Sequence, residues 1–420
     1  MTVIKLNDFP ISPVQGQIYE IIPDKSKIVA STNRLFNKYP TRYISAVPRF
    51  AISAYSSPGD FVLDPFCGSG TTAIEAMIMG RNAYSIDIDP FARLLISVKT
   101  SIYSYEDICL ISSIVNKLKE VSPLDPKDIV LPPISNINKW FSDDAIAWLA
   151  TYKYYIELLS EGNINVKNYL LVVLAAIVRK VSNADEVSPK PYISSRYPKT
   201  PAKANELFFK IEELYRPAII EFSEVAGKYD TNSIILPSND ARNIGVENVD
   251  LAITSPPYIN AYDYVRSLKF EDIWLGLADE TALRNNRKNY VGTESVHSCH
   301  SAYNFVNHSS TLQPIVDELR KVDEKRAHIV LSYFEDMAIN MKSVHRSLKK
   351  GSKYVIVVGD SKIRGSNIPT AKILSEIAAN LGYTFVLSFK YVIRDRYLHL
   401  PRGERGGIIK YDEVLVIEKS

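Results

Sequence analysis

A chain of 420 residues with 46% apolar and 23% charged content has room for two or three globular units at ~150 residues each and is too apolar for large-scale disorder. A net charge of +3 marks no general polyanion surface, so a nucleic-acid site has to come from local clusters of Lys and Arg. Three widely spaced cysteines, Cys67, Cys109 and Cys299, offer neither a disulfide framework nor a zinc pattern, and a reduced intracellular protein is expected.

Residues 1 to about 43 show no clear period, and the first thirty lack the apolar core of a signal peptide. A helix is expected over 44–55, closed by the turn at 56–60. Residues 61–63 read as a short buried strand that runs into Asp64-Pro65-Phe66-Cys67-Gly68-Ser69-Gly70-Thr71-Thr72. Next come a helix over 73–79, a stop at Gly80 and a second strand over 83–86, ending at Asp87. Strand, glycine turn, helix, strand and acid make the first half of a doubly wound α/β fold.

The pattern then changes. Four helix-like segments lie near 104–121, 142–160, 166–181 and 201–227, with Ser104 and Ser142 where helix N-caps belong. The longest apolar run, 169–178, is about half the ~20 residues of a membrane-spanning helix, so a cytoplasmic protein with no membrane partner is expected. Residues 182–201 are polar and proline-rich, with Lys190, Arg196 and Lys199. The whole of 101–230 reads as a mostly helical insertion, and 1–100 with 231–420 as the catalytic domain. The α/β pattern resumes with strands over 233–236 and 249–254, the latter ending at Ser255-Pro256-Pro257-Tyr258. A helical stretch over about 262–277 and a polar, irregular stretch over 279–312 come next. A helix over about 331–348, a strand over 354–358, a helix over about 369–381 and a closing pair of strands (384–393 and 414–418) complete the chain.

Two clusters carry chemistry. Glycines after a strand allow a tight turn and a close ligand approach, and the helix N-terminus beyond favours a carboxylate or phosphate. Ala73 occupies the third glycine position of a dinucleotide turn and no Gly-Lys-Thr/Ser comes after it, so the turn is neither a dinucleotide fingerprint nor a Walker A loop. Asp87, ending the second strand, is placed to accept hydrogen bonds from ribose hydroxyls. At the second cluster, two prolines stop a strand and leave unpaired carbonyls at the edge of the sheet where ligands sit. Ser255 and the Pro256 carbonyl can accept hydrogen bonds from an amino group, and Tyr258 offers a face for stacking a base.

Together these clusters resemble the S-adenosylmethionine-dependent amino-methyltransferases of DNA, which make N4-methylcytosine or N6-methyladenine. The cofactor motif matches residues 64–72 and the catalytic motif Ser255, Pro256, Pro257 and Tyr258. Asn239-Asp240-Ala241-Arg242 is similar to the segment that holds the cofactor's adenine, and Asp87 to the ribose-binding acid. Tyr262-Asp263-Tyr264 with Trp274-Leu275-Gly276 resembles the segment after the catalytic motif in many members. The resemblance spans roughly 40–100 and 230–420. It implies an α/β, Rossmann-like class I methyltransferase sheet with S-adenosylmethionine held by Asp64, Phe66, Gly68, Gly70, Asp87, Ile88, Asp240 and Ala241. The insertion precedes the Asp240 segment, which departs from the usual place of a target-recognition domain.

Ser at the first motif position implies cytosine N4 ahead of adenine N6, with a flipped-out base as substrate. Double-stranded DNA is the implied partner, in a restriction-modification setting with a cognate restriction endonuclease. Tyr262, Arg266, Arg179, Lys190, Arg196 and Arg287 are the DNA-contact candidates. Residues 179–203 carry six Lys/Arg against two acids, and Arg394, Arg396, Arg402 and Arg405 form a further cluster whose bland reading is solvated surface charge. Cys67 as a nucleophile for carbon-5 methylation is disfavoured, because it sits in the cofactor turn and Pro-Pro-Tyr stands where Pro-Cys is expected. His297-Ser298-Cys299-His300 has too few ligands nearby for zinc, so no metal is expected. The rivals are an RNA guanine-N2 methyltransferase, which usually shows Asp or Asn before Pro-Pro, and a catalytically silent DNA-binding relative.

Overall fold

The computed structural model describes residues 3–22, 31–36, 39–40, 43–128, 130–186, 188, 190–259, 263–294, 309–394 and 410–420. Strands β1 (Val3–Leu6) and β2 (Ile18–Ile21) precede helix α1 (Ala46–Tyr55). The first α/β unit then runs β3 (Phe61–Asp64), α2 (Thr71–Ile78), β4 (Asn82–Ser85) and α3 (Pro90–Thr100). Helices α4 (Tyr105–Glu120), α5 (Ile137–Trp140), α6 (Asp143–Leu159), α7 (Ile164–Val181) and α8 (Ala204–Ala226) fill the space before β5 (Ser233–Ile235) and β6 (Val249–Thr254). Short helices α9 (Tyr264–Ser267), α10 (Lys269–Trp274) and α11 (Glu280–Asn286) lead to the longer α12 (Leu312–Val322) and α13 (Glu324–Ser347). The chain closes with β7 (Leu348–Gly359), a small hairpin of β8 (Ser361–Ile363) and β9 (Ser366–Ile368), α14 (Thr370–Asn380), β10 (Tyr383–Val392) and β11 (Tyr411–Lys419).

Among the described residues, nine strands form one sheet in the order β1-β2-β10-β11-β7-β6-β3-β4-β5. Within it only β11 runs antiparallel to its neighbours, pairing β7 on one side and β10 on the other. From β3 the chain winds outward through β4 and β5, then returns to the opposite side of β3 with β6. The order therefore reverses between β3 and β6, and open α/β sheets bind ligands beyond the carboxyl ends of the strands at such a switch point. Those ends are Asp64 and Thr254, the residues that lead into the two sequence motifs.

The helices of 101–230 start where their caps specify. Ser104 and Asp107 form a reciprocal capping box on α4, Ser142 accepts from the Ala145 amide on α6, and Asn163 caps α7 through the Val166 amide. Helix α7 buries residues all round, as a helix at the centre of a core does. That core does not end with the insertion. It includes Phe91, Leu95 and Val98 of α3 and Phe270, Ile273 and Trp274 of α10, so the helices of 101–230 pack against α3 and α10.

Two expectations need correction, and helix α3 is an element they did not include. The first forty-odd residues supply β1 and β2, and β2 pairs with β10 at the sheet's far edge. Helix α3 begins at an Asp89 cap with Pro90 in its first turn, a start signal that the sequence carried. The stretch over 279–312 is not irregular throughout, because Asp279 caps α11 through the Ala282 amide and a single turn over Arg287–Asn289 extends it.

Candidate active site

The glycine turn is built by backbone constraint. Gly68 and Gly70 have φ of +48° and +85°, where side chains are strained. A Cβ at Gly70 would lie 2.8 Å from Ile96 Cγ1, so this glycine lets the turn close on α3. The Gly68 amide donates to Asp87 Oδ2 at 2.8 Å, and buried Lys99 donates to the Ser69 carbonyl at 3.1 Å. The turn is thus held from both strand β4 and helix α3.

Asp64 acts as the hub between the motifs. Its carboxylate accepts from Thr254 Oγ1 at 2.7 Å, from Thr72 Oγ1, from the Phe66 amide at 3.1 Å and from Tyr43 Oη at 3.5 Å. One fully buried acid therefore fixes the end of β6, the start of α2 and the turn between them. Burial pushes its pKa up to about 6, against the pull of those hydrogen bonds. Asp64→Ala leaves several buried donors unsatisfied and is expected to cost on the order of 3 kcal/mol in urea unfolding. A cost below about 0.5 kcal/mol would contradict the hub role.

Beyond these strand ends lies a cavity that opens to solvent, with about 760 Å³ of unfilled space. Phe66, Gly68, Asp87, Ile88, Asp240, Ala241, Ser255 and Pro257 all line it. Asp64, Gly70, Pro256 and Tyr258 do not, and stand behind or beside its wall. Asp87 is fixed by two amides, Gly68 to Oδ2 and Asp89 to Oδ1 at 2.9 Å. Each oxygen keeps a second lone pair for a hydroxyl donor. Burial, and then Asp89 nearby, push the Asp87 pKa up to about 7. Arg93, which donates to the Asp87 and Ile88 carbonyls, offsets part of that effect.

The Asp240 segment is fixed by a separate network. Arg242 bonds both Asp240 oxygens, Asp336 Oδ1 at 2.8 Å and the Asn289 carbonyl at 3.0 Å. Burial acts to raise the Asp240 pKa, and the Arg242 bonds outweigh it and lower the value. Asn340 donates to the Ala241 carbonyl at 2.7 Å and itself accepts from buried Tyr354. This part of the wall therefore presents fixed backbone rather than a mobile loop.

Sequence reasoning missed a third of the lining. Tyr39, Pro40 and Tyr43 come from the N-terminal stretch without a period, and Asn289, Tyr290 and Val291 from the stretch read as irregular. Tyr290 donates to Asp89 Oδ2 at 3.1 Å, and Asp89 also caps α3. The only prior signal was the clustering of aromatics and Asn in otherwise polar segments.

At residues 255–258, Ser255 is half-buried and faces the cavity with Pro257, while Pro256 is buried. Tyr258 Oη donates to Asp412 Oδ1 at 2.7 Å, which anchors the ring to β11. Gly292 packs so closely that a Cβ there would lie 2.9 Å from the Tyr258 carbonyl.

A second cavity of about 420 Å³ shares Tyr264, Tyr290 and Val291 with the first and is also lined by Lys190, Asp263 and Arg287. Asp263, with 9% of its side chain exposed, gathers three of the expected DNA-contact cations. Arg287 lies at 2.7 Å, Arg266 at 3.4 Å and Lys190 at 4.0 Å. Arg179 is placed differently: it is buried and donates to the Asp185 and Ser188 carbonyls, so its charge organises a loop and is not offered to phosphate. Arg196 stacks over the Tyr197 ring, and Arg394 lies 3.5 Å from Glu20. Tyr262, the 297–300 stretch, Arg396, Arg402 and Arg405 lie outside the described residues. Among the described residues no group of three His, Cys, Asp or Glu could hold a metal ion, and no helix is long and apolar enough to cross a membrane.

A parallel sheet that reverses order between β3 and β6, one antiparallel strand beside β7 and a cavity over the switch point define a Rossmann-like class I methyltransferase fold. The family described as DNA methylase matches residues 14–97. Type II methyltransferase M.MvaI of Kocuria varians is 26% identical over 349 residues, 78% of this chain and 76% of that protein. Type II methyltransferase M.BsoBI of Geobacillus stearothermophilus is 23% identical over 416 residues, 86% of this chain and 81% of the relative. Type II methyltransferase M.MjaII of Methanocaldococcus jannaschii is 35% identical over a shorter stretch of 85 residues, 20% of this chain and 16% of its own length. Together these matches support a DNA amino-methyltransferase of the N4/N6 type, an enzyme family whose methyl donor is S-adenosylmethionine.

Proposed function

We propose that the protein methylates the exocyclic N4 of cytosine, flipped out of duplex DNA, in a restriction-modification setting with a cognate endonuclease in the cytoplasm. The observation that carries the reading is Ser255 opening onto the same cavity as Asp87, Asp240 and Ala241. The residues fit S-adenosylmethionine: Asp87 retains acceptor capacity for a ribose diol, and Gly68 leaves room where a Cβ would crowd Tyr39 at 3.1 Å. Asp240, Ala241, Ile88 and Phe66 would hold the adenosine. When bound, the cofactor supplies an electrophilic methyl group.

The chain's own task is to make a poor nucleophile competent. The amine lone pair is delocalised into the ring of the base. Hydrogen bonds from the amine to Ser255 Oγ and the Pro256 carbonyl favour a more tetrahedral nitrogen whose lone pair is free to attack. Tyr258, held through Asp412, would stack on the flipped base and recover part of its lost stacking. Positioning and fixed dipoles do this work without a covalent enzyme intermediate. Ser at the first motif position is what favours cytosine over adenine. Lys190 and Arg287, lining the second cavity, and Arg266, paired with Asp263 beside it, would take the DNA backbone.

The test is transfer of labelled methyl groups from S-adenosylmethionine by purified protein to duplex DNA and, separately, to bulk RNA, with nucleoside analysis of the products. Label in N4-methylcytosine from DNA alone is expected. Label in RNA guanine, with none in DNA, would overturn the proposal.

A further inference from the structure

The loop between α7 and α8 combines a fixed base with large side chains left in solvent. Arg179 clamps the Asp185 and Ser188 carbonyls, and the Asp185 amide donates to the Tyr192 carbonyl at 2.8 Å. Ser188 Oγ donates to the Lys190 carbonyl at 2.9 Å, and Lys199 Nζ to the Arg179 carbonyl at 2.8 Å. A loop so tied could turn its apolar groups inward, yet Tyr192 and Ile193 are 47% and 37% exposed. Two residues earlier, Lys190 reaches the rim of the second cavity beside Asp263 and Arg287, next to the proposed methyl-transfer cavity. Exposed apolar side chains lying between Lys190 and Arg196 at the edge of a site match a duplex better than a protein surface.

We propose that this loop enters the duplex at the target base, with Tyr192 and Ile193 filling the stacked position that the flipped base vacates and Lys190 on the adjoining phosphate. The inference rests on the DNA-methylation reading. A flipped base leaves unstacked neighbours, and an apolar or aromatic wedge in the gap stabilises the open form. It gives the helical insertion a role in base eversion, and the helices that carry the loop share a core with α3 and α10.

The experiment compares wild type with a Tyr192→Ala/Ile193→Ala double variant on two duplexes. One carries the sequence that the enzyme methylates in an expression host; the other is identical but abasic opposite the target base. The double variant is expected to methylate the paired duplex at least about tenfold more slowly and to recover to within about threefold of wild type on the unpaired one, where eversion costs little. Tyr192→Phe should stay near wild type on both. Equal loss on the two duplexes, or no loss on either, would overturn the wedge while leaving methylation intact. Wild type that methylates neither duplex overturns the DNA reading, and the wedge with it. Cofactor binding reports folding, and the single Tyr192→Ala and Ile193→Ala variants carry the same comparison if the double variant fails to bind.

Discussion

Ser255→Ala is expected to lower the rate of methyl transfer roughly 100- to 1,000-fold, the usual cost of removing one fixed hydrogen-bonding group at a reacting centre. The cofactor dissociation constant should stay within about twofold, because one contact on a large ligand carries little of its binding. Asp64 fixes the end of β6 through Thr254 and so sets where Ser255 faces the cavity. Removing the hydroxyl leaves the Pro256 carbonyl as the remaining acceptor, and the amine nitrogen keeps more of its planar character. Single-turnover kinetics with saturating DNA read the step directly. An unchanged rate with weaker cofactor binding would move Ser255 from the chemistry to the cofactor wall.

Asp87→Ala should raise the cofactor dissociation constant roughly 10- to 100-fold, since a buried carboxylate accepting from hydroxyls contributes ~1.5–3 kcal/mol. Binding should also depend on pH with a definite sign. Burial, with Asp89 beside it, pushes the Asp87 pKa up to about 7. Below that value the folded protein holds a proton that binding a diol to the carboxylate must expel, so affinity falls as pH falls. Wild type is expected to bind about tenfold more weakly at pH 6 than at pH 8, approaching a tenfold change per unit only well below the pKa. Asp87→Asn removes this titration and leaves those that both proteins share, the cofactor's and that of Asp89, whose pKa burial also raises. Calorimetry on the pair separates the two, and identical pH profiles would contradict the assignment of Asp87.

The strand ends and caps were legible because each is a local signal. The glycine turn needs positive φ at Gly68 and Gly70, and Ser255-Pro256-Pro257-Tyr258 ends an apolar strand; both lie at one sheet edge. The helices of the insertion start at Ser104 and Ser142, where short polar side chains precede apolar periods. The parts that stayed hidden depend on tertiary packing. Tyr39, Tyr43 and Tyr290 reach the cavity from stretches with no period, because their neighbours are supplied by distant segments. Strands β1 and β2 are four residues each; β1 is largely exposed, and β2, buried alternately at Tyr19 and Ile21, is too short to show a period. Arg179 shows the limit of counting charge: composition placed it with its neighbouring cations, while in the fold its guanidinium is committed to carbonyls.

The most direct test of the central claim is to express the protein in a host without DNA methylation and quantify modified nucleosides in genomic DNA by mass spectrometry. N4-methylcytosine is expected in cells carrying the wild type and its loss with Ser255→Ala. N6-methyladenine in its place would contradict the base assignment, and genomic DNA without either base, from a protein that binds S-adenosylmethionine, would contradict the function.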